Sequence, residues 1–102
     1  MMLYWASTRG EARAVAALLV MEGVDVNQTA YGCTPLLTAS LEGHAEVVSM
    51  LLAKPGINVN QARDSGVTPL FMASIMGHAE VVSMLLAKQG VNVNQARDSS
   101  AV

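Results

Sequence analysis

The side chains best suited to chemistry are two histidines, each followed two positions later by a glutamate, because residues 44–46 and 78–80 both read His-Ala-Glu. Zinc-dependent deaminases use that spacing, with the histidine as a metal ligand and the glutamate as general acid and base. Such a site also needs the pattern P-C-x-x-C, and Cys33 is the one cysteine of the chain. Because a zinc ion needs three or four converging ligands, we predict that both histidines bond backbone groups and that the chain holds no metal and no other cofactor.

Cys33, Glu42 and Glu46 are the other candidates for catalysis. A reactive thiol needs a basic or positively charged neighbour, but nothing in the sequence marks one, and the matching position in the next repeat is Val67. We therefore expect Cys33 to be an unreactive, partly exposed side chain. Glu42 and Glu46 fall on different predicted helices, so they do not form an acid–base pair. We predict no catalytic residue and no enzymatic activity.

The composition of the 102 residues indicates a folded domain, because 52% are hydrophobic and 14% charged, whereas disordered chains show the opposite bias. The net charge is −2 and the basic residues are scattered, so there is no positive stripe for nucleic acid. The longest apolar run, residues 14–21, is far shorter than a membrane span and is not followed by a cleavage site. We predict no nucleic-acid or membrane partner and a cytoplasmic or otherwise intracellular location.

The chain repeats itself with a period of 34 residues. Residues 43–65 and 77–99 differ at only two of 23 positions, and a more divergent copy lies upstream at a shift of 33. The upstream copy lacks one residue between Asn27 and Gly32, which indicates a turn, because turns tolerate changes of length. All eight glycines occupy equivalent positions of the repeat, which predicts three sharp bends in each unit.

Each repeat predicts two helices and a loop. Thr34 before Pro35 is typical of a helix start, and Gly43 is typical of a helix end. Apolar residues at i, i+3 and i+4 predict a second helix from His44 or Ala45 to Lys54, with the lysine in its last turn. Residues 57–60 alternate between apolar and polar side chains, and residues 61–66 are polar and turn-like. This pattern predicts a protruding loop. One such unit cannot bury its own apolar face, so the units must stack.

Several motifs recur in register and together resemble those of ankyrin repeats. They are T-P-L-x-x-A at 34–39 and 68–73, G-H-x-E-V-V-x-x-L-L at 43–52 and 77–86, and G-x-x-V-N at 23–27, 56–60 and 90–94. The resemblance implies an all-α fold, an ankyrin-type solenoid of three stacked helix-turn-helix units with protruding β-hairpin-like loops. The histidine that follows T-P-L in the family is replaced by Leu37, Phe71 and, upstream, Tyr4, which predicts weaker bracing of the turn.

We assign one domain, with unit 1 at about residues 1–27, unit 2 at 28–60 and unit 3 at 61–94, and with 95–102 beginning an incomplete fourth turn. Tyr4, Trp5 and Phe71 could serve as binding anchors, but at these early first-helix positions packing in the core or at an end of the stack is the favoured reading. Neither end shows a polar capping unit, which repeat arrays normally need for solubility. Three units are about the minimum for a stable array, so we expect a free energy of unfolding at or below roughly 5 kcal/mol.

The resemblance also implies a non-enzymatic protein–protein interaction module that binds its partner through the loop tips and the exposed face of the first helices. The loop positions carried over are Tyr31, Cys33, Arg63, Asp64, Ser65 and Val67, and the first-helix positions are Thr8, Arg9, Leu41, Glu42, Ile75 and Met76. Leu41, Ile75 and Met76 would form an apolar strip, which Tyr31 could anchor. Ile75 and Met76 could equally pack against a following unit.

A structural role is the alternative hypothesis. The chain would then be a spacer or a fragment of a longer ankyrin array that self-associates weakly through its uncapped ends.

Overall fold

The chain folds into three helix pairs joined by loops, in a computed structural model that describes residues 2–92. The helices are α1 (Met2–Arg9), α2 (Ala12–Leu19), α3 (Pro35–Glu42), α4 (Ala45–Leu52), α5 (Pro69–Ile75) and α6 (Ala79–Ala87). No strand forms within those residues, which agrees with the predicted all-α fold. Each pair falls within one predicted unit, and the predicted fourth turn at 95–102 lies outside the described residues.

The first helices of units 2 and 3 begin at a threonine followed by a proline, as predicted. The hydroxyl oxygen of Thr34 accepts a hydrogen bond from the amide of Leu37 at 3.1 Å, and Thr68 and Phe71 repeat this contact. Each threonine thereby satisfies one of the amides that a helix start leaves free. The proline that follows has no amide to satisfy.

Gly43 ends α3, also as predicted. Its φ of 78° lies in the left-handed region that glycine adopts without strain. The next amide, that of His44, donates to the carbonyl oxygen of Ala39 at 3.0 Å, and the amide of Gly43 donates to Ser40 at 3.3 Å. This pattern is a Schellman motif, and it turns the chain sharply into α4.

The second helices are shorter than the sequence indicates. α4 ends at Leu52, so Lys54 lies beyond the helix and not in its last turn, which corrects the prediction. A lysine acts across the units instead, because the ammonium group of Lys88 donates to the carbonyl oxygen of Leu52 at 2.8 Å. The positive charge therefore meets the negative end of the neighbouring helix, where it satisfies a free carbonyl group.

The loops before α3 and α5 are hairpin turns of different length. In the first, Ala30 and Cys33 exchange two backbone hydrogen bonds, at 2.9 and 3.0 Å, across the two-residue turn of Tyr31 and Gly32. In the second, the amide of Arg63 donates to the carbonyl oxygen of Val67 at 3.0 Å, so the turn contains three residues. The residue that the upstream copy of the repeat lacks between Asn27 and Gly32 is therefore missing from a turn, as predicted.

The units stack side by side. α1, α3 and α5 form one row, and α2, α4 and α6 form a second row behind it. The core lies between the rows and contains Val15, Leu36, Val48, Leu51 and Leu85, each with no exposed surface. Each row also packs helix against helix between neighbouring units, so the units cover part of one another's apolar surface, as the repeat predicts.

Candidate protein-interaction surface

The first helices present two equivalent positions to the surface in every unit. The repeat aligns Thr8 with Leu41 and Ile75, and it aligns Arg9 with Glu42 and Met76. Arg9, Glu42 and Met76 are all exposed. At the other aligned position, Ile75 is exposed, whereas Thr8 and Leu41 are half-buried.

The two explanations offered for Ile75 and Met76 can be separated by comparing units 2 and 3. Glu42 stays exposed although unit 3 covers unit 2, so a following unit would not cover Met76 either. Leu41 is half-buried in the covered unit, so a following unit would cover part of Ile75. Met76, which is 50% exposed, therefore belongs to the open face of the first helices.

An aromatic cluster lies where the first loop meets α1. The ring centroids of Tyr4 and Tyr31 are 5.7 Å apart, and those of Trp5 and Tyr31 are 6.1 Å apart. Tyr31 is 69% exposed and Trp5 is 45% exposed. The sequence leaves Trp5 either as a binding anchor or as a residue packed in the core or at an end of the stack. It carries no signal for the contact with Tyr31, because that contact forms only when the loop folds back onto α1.

Tyr31 adopts an unusual backbone conformation, since its φ is 55° and no other non-glycine residue within 2–92 has a positive φ. The two-residue turn imposes this angle, because a type I′ turn needs positive φ at both central positions. Asparagine or glycine is the usual residue there. A tyrosine in the left-handed region costs about 1–2 kcal/mol relative to its normal conformation.

The second loop places charged side chains beside the first. Arg63, Asp64 and Ser65 are exposed at its tip. Asp64 of the second loop lies close to Gly32 of the first. If Gly32 carried a β-carbon, that atom would be 3.8 Å from a carboxylate oxygen of Asp64. The two loop tips therefore form one continuous surface.

The predictions for Cys33 and Val67 need correction, because each is only 8% exposed. The carbonyl oxygen of each accepts a backbone hydrogen bond across its loop, and the threonine that follows each is 3% exposed. The side chains of Cys33 and Val67 therefore lie inside the fold. Neither offers appreciable surface to a partner, and Cys33 is not partly exposed. The exposed candidates, with Trp5 added, are named the loop–helix surface: Trp5, Arg9, Tyr31, Glu42, Arg63, Asp64, Ser65, Ile75 and Met76.

The two histidines bond backbone groups, as predicted. The Nε2 of His44 lies 2.9 Å from the carbonyl oxygen of Thr8, and the Nε2 of His78 lies 2.9 Å from that of Leu41. Each ring therefore donates to the preceding unit and joins two units together. Within residues 2–92, no three His, Cys, Asp or Glu side chains are grouped closely enough to hold a metal ion.

Stacked helix pairs with projecting hairpin turns define a helical repeat protein. The family model for ankyrin repeats matches residues 3–97 in three copies, so the chain belongs to the ankyrin repeat family. Ankyrin repeats generally act as protein–protein interaction modules and are typically non-enzymatic. The search of curated proteins finds no match to this chain. Among residues 2–92, no helix has the length and apolar character that crossing a membrane requires.

Proposed function

We propose that this chain binds a protein partner through the loop–helix surface. The observation that carries the proposal is the exposed Tyr31, which is held at a φ of 55°. Asparagine would fit this turn with less backbone strain, and 69% of Tyr31 stays exposed although its ring contacts Tyr4 and Trp5. Its aromatic ring, in contrast, offers a partner a large contact area at a low cost in side-chain entropy.

The distribution of differences among the units supports this choice. The second helices of units 2 and 3 have the same sequence from residue 45 to 53 and from 79 to 87. The exposed first-helix position, by contrast, holds Arg9, Glu42 and Met76 in the three units. Between units 2 and 3 the exposed first-helix residue changes while the second helix does not, and a variable surface on a constant scaffold suits the recognition of one particular partner.

The chemistry of the surface indicates the kind of partner. Tyr31 and Trp5 at one end and Ile75 and Met76 at the other are exposed apolar groups that could enter pockets of a partner. Charged residues of both signs lie with them, namely Arg9, Glu42, Arg63 and Asp64. Such a mixture forms no continuous positive patch for nucleic acid, and it matches a partner with apolar anchors and a polar rim.

The test is affinity capture from a lysate of the source organism, with quantitative comparison of the wild-type chain and a Tyr31→Asn, Met76→Glu double variant. Both substituted side chains are exposed, so the double variant should keep its helical circular dichroism. Partners that use the loop–helix surface should be lost from the variant by tenfold or more.

The control is Ala53→Glu, which adds the same charge at an exposed position after the end of α4. It should retain every partner. If the double variant captured the same proteins in the same amounts as the control, the loop–helix surface would not be the binding site.

A further inference from the structure

Three of the four aromatic residues of the chain gather at one place, and we name them the aromatic cluster. They are Tyr4 and Trp5 of α1 and Tyr31 of the first loop. The ring centroids of Tyr4 and Trp5 are 5.3 Å apart, and each lies within 6.1 Å of the ring of Tyr31. The fourth aromatic residue, Phe71, lies far along the sequence in α5. Almost all of the aromatic surface of the chain is therefore concentrated in a single group.

The repeat does not account for this cluster. Unit 2 and the second loop have no aromatic ring at the equivalent positions, which hold Leu37, Thr38 and Ser65. A unit of this fold can therefore form its helices and its hairpin turn without the three rings. At the tip of the first loop the ring even requires a φ of 55°, which is unfavourable for tyrosine.

The aromatic cluster is open to solvent. Tyr31 is 69% exposed and Trp5 is 45% exposed, while Tyr4 is half-buried beneath them. The exposure of Tyr31 does not depend on its place in the first loop of the stack. Its counterpart Ser65 is also exposed, although the first loop lies beside the second. A partner that approaches the loop tips can therefore reach the rings.

The relative tilt of the rings favours a rounded ligand over a flat one. The interplanar angles are 82° between Tyr4 and Trp5, 72° between Trp5 and Tyr31, and 53° between Tyr4 and Tyr31, so no two of the rings are parallel. A planar guanidinium group stacks best on a single ring face or between parallel rings. Three rings tilted about one point suit a rounded cation, which can lie within about 6 Å of all three centroids, the range over which an aromatic ring attracts a cation.

Charged groups of both signs surround the cluster. Asp64 places a carboxylate beside the turn that carries Tyr31, which favours a cation. Arg9 lies one helical turn after Trp5, and Arg63 precedes Asp64, so positive charges are close as well. The attraction for a cation must therefore come mainly from the rings. That favours an ammonium group covered by methyl groups, because the bare ammonium group of lysine is strongly hydrated and loses more on leaving water.

We propose that the aromatic cluster binds a trimethylated lysine side chain of the protein partner. The inference rests on the proposed function and names the group of the partner that Tyr31 contacts. A polypeptide is favoured over a choline lipid, which carries the same trimethylammonium group, because the exposed surface continues beyond the cluster. Arg9, Glu42 and Met76 follow it along the first helices and offer contacts to a peptide chain that a lipid headgroup would leave unused.

The fluorescence of Trp5 reports binding at the cluster, because Trp5 is the one tryptophan of the chain. The first probe is N-acetyl-trimethyllysine amide. The second is its neutral analogue, in which a carbon atom replaces the charged nitrogen, so that the shape is kept and the charge is lost. Titration of the wild-type chain with each probe separates the attraction for a cation from the burial of methyl groups. The charged probe should bind about fivefold more tightly than the analogue, or better.

Two variants of the chain locate the site. Tyr31→Asn removes one ring but suits the turn, so it should weaken binding of the charged probe by about fivefold or more while the chain stays folded. Val20→Ser is the control, because it removes an apolar side chain that is 80% exposed and lies outside both the cluster and the loop–helix surface. It should bind the charged probe as the wild-type chain does. Both variants keep Trp5 as the reporter, and circular dichroism verifies their folding.

Three results would overturn the inference. The charged and neutral probes could bind equally well, or not at all, which would exclude a cation site. The corresponding amides of unmethylated lysine or of arginine could bind as tightly as that of trimethyllysine, which would exclude the selectivity. Phosphatidylcholine vesicles could bind the chain while the trimethyllysine probe did not, which would make a membrane the occupant.

The inference and the proposed function can fail separately, because the probe titration needs no partner. Loss of captured partners from the Tyr31→Asn, Met76→Glu variant, without a preference for the charged probe, would keep the proposed function and reject the cation site. A preference for the charged probe, with capture unchanged in that variant, would keep the cation site and reject the loop–helix surface as the place where the captured proteins bind.

Discussion

His78 occupies the space that a side chain at Gly43 would need, since a β-carbon there would lie 2.6 Å from the imidazole. The contact joins two units that are 34 residues apart in register, and the bond from the same ring to the carbonyl oxygen of Leu41 fixes their separation. Glycine at this position therefore does two things. It permits the left-handed turn that ends α3, and it leaves room for the ring of the next unit.

Gly43→Ala should destabilise the chain more than Gly77→Ala. Both glycines have a φ of 78°, so the conformational strain of alanine, about 1–2 kcal/mol, is common to both variants. Of these two glycines, Gly43 alone lies under a histidine ring. Moving that ring away from the added methyl group should cost about 1–3 kcal/mol more. Urea denaturation followed by circular dichroism measures the difference, and equal losses would contradict the role assigned to the ring.

The pair can also be tested by a double-mutant cycle. His78→Ala alone should lower the free energy of unfolding, because it removes the bond to Leu41 and opens a gap over Gly43. In the double variant the alanine at Gly43 meets no ring, so the combined loss should be smaller than the sum of the two single losses. Additive losses would show that the two positions are not coupled.

Local features of the fold are predictable from the sequence because their causes lie within a few residues. Thr34 and Pro35 determine where α3 begins, and Gly43 determines where it ends, without help from other units. The end of α4 cannot be located in this way. The sequence pattern places Lys54 in its last turn, but the helix ends at Leu52, and the lysine that caps it, Lys88, comes from the next unit.

The candidate site is less completely predictable, because exposure depends on how the loops fold back. Tyr31 can be identified from its position at a loop tip, and it is exposed. Cys33 follows it by two residues and is buried, because the two-residue turn reverses the chain between them. The contact of Trp5 with Tyr31 spans 26 residues, and no spacing rule relates two such positions.

Asn60→Asp should lower the free energy of unfolding, although it only replaces the side-chain amide nitrogen with an oxygen. The side-chain amide of Asn60 donates to the carbonyl oxygen of Gly90 at 2.8 Å, and its oxygen accepts from the backbone amide of Asn92 at 2.8 Å. Aspartate keeps the acceptor but turns the donor into an oxygen that faces a carbonyl group. A loss of about 1 kcal/mol is expected in thermal or urea unfolding, because these bonds lie at an exposed site.

The control for that variant is Asn58→Asp. The side-chain oxygen of Asn58 accepts from the backbone amide of Asn60 at 3.2 Å, and an aspartate can accept the same bond. The control should therefore stay within about 0.5 kcal/mol of the wild-type chain, as surface substitutions usually do. A loss as large as that of Asn60→Asp would show that added negative charge, rather than the lost donor, causes the effect.

Ser40→Ala should raise stability. The hydroxyl group of Ser40 is fully buried at the interface of units 2 and 3 and has no hydrogen-bond partner among the described residues. An unsatisfied buried hydroxyl costs about 1–3 kcal/mol, so its removal should raise the free energy of unfolding by about 1 kcal/mol after the small loss of packing. Ser74 is the control, because its hydroxyl is exposed and donates to the carbonyl oxygen of Leu70 at 2.8 Å. Ser74→Ala should change stability by less than about 0.5 kcal/mol.

Tyr31→Asn and Tyr31→Val should separate the conformation of the turn from the aromatic contacts. Both variants lose the ring contacts with Tyr4 and Trp5, which are worth about 0.5–1.5 kcal/mol each. Asparagine tolerates the positive φ of 55°, whereas valine, branched at its β-carbon, does not. Tyr31→Val should therefore be less stable than Tyr31→Asn by about 1–2 kcal/mol in urea denaturation. Equal stability would mean that the two-residue turn rearranges to relieve the valine, and a shift of the amide resonances of Ala30 and Cys33 would reveal that rearrangement.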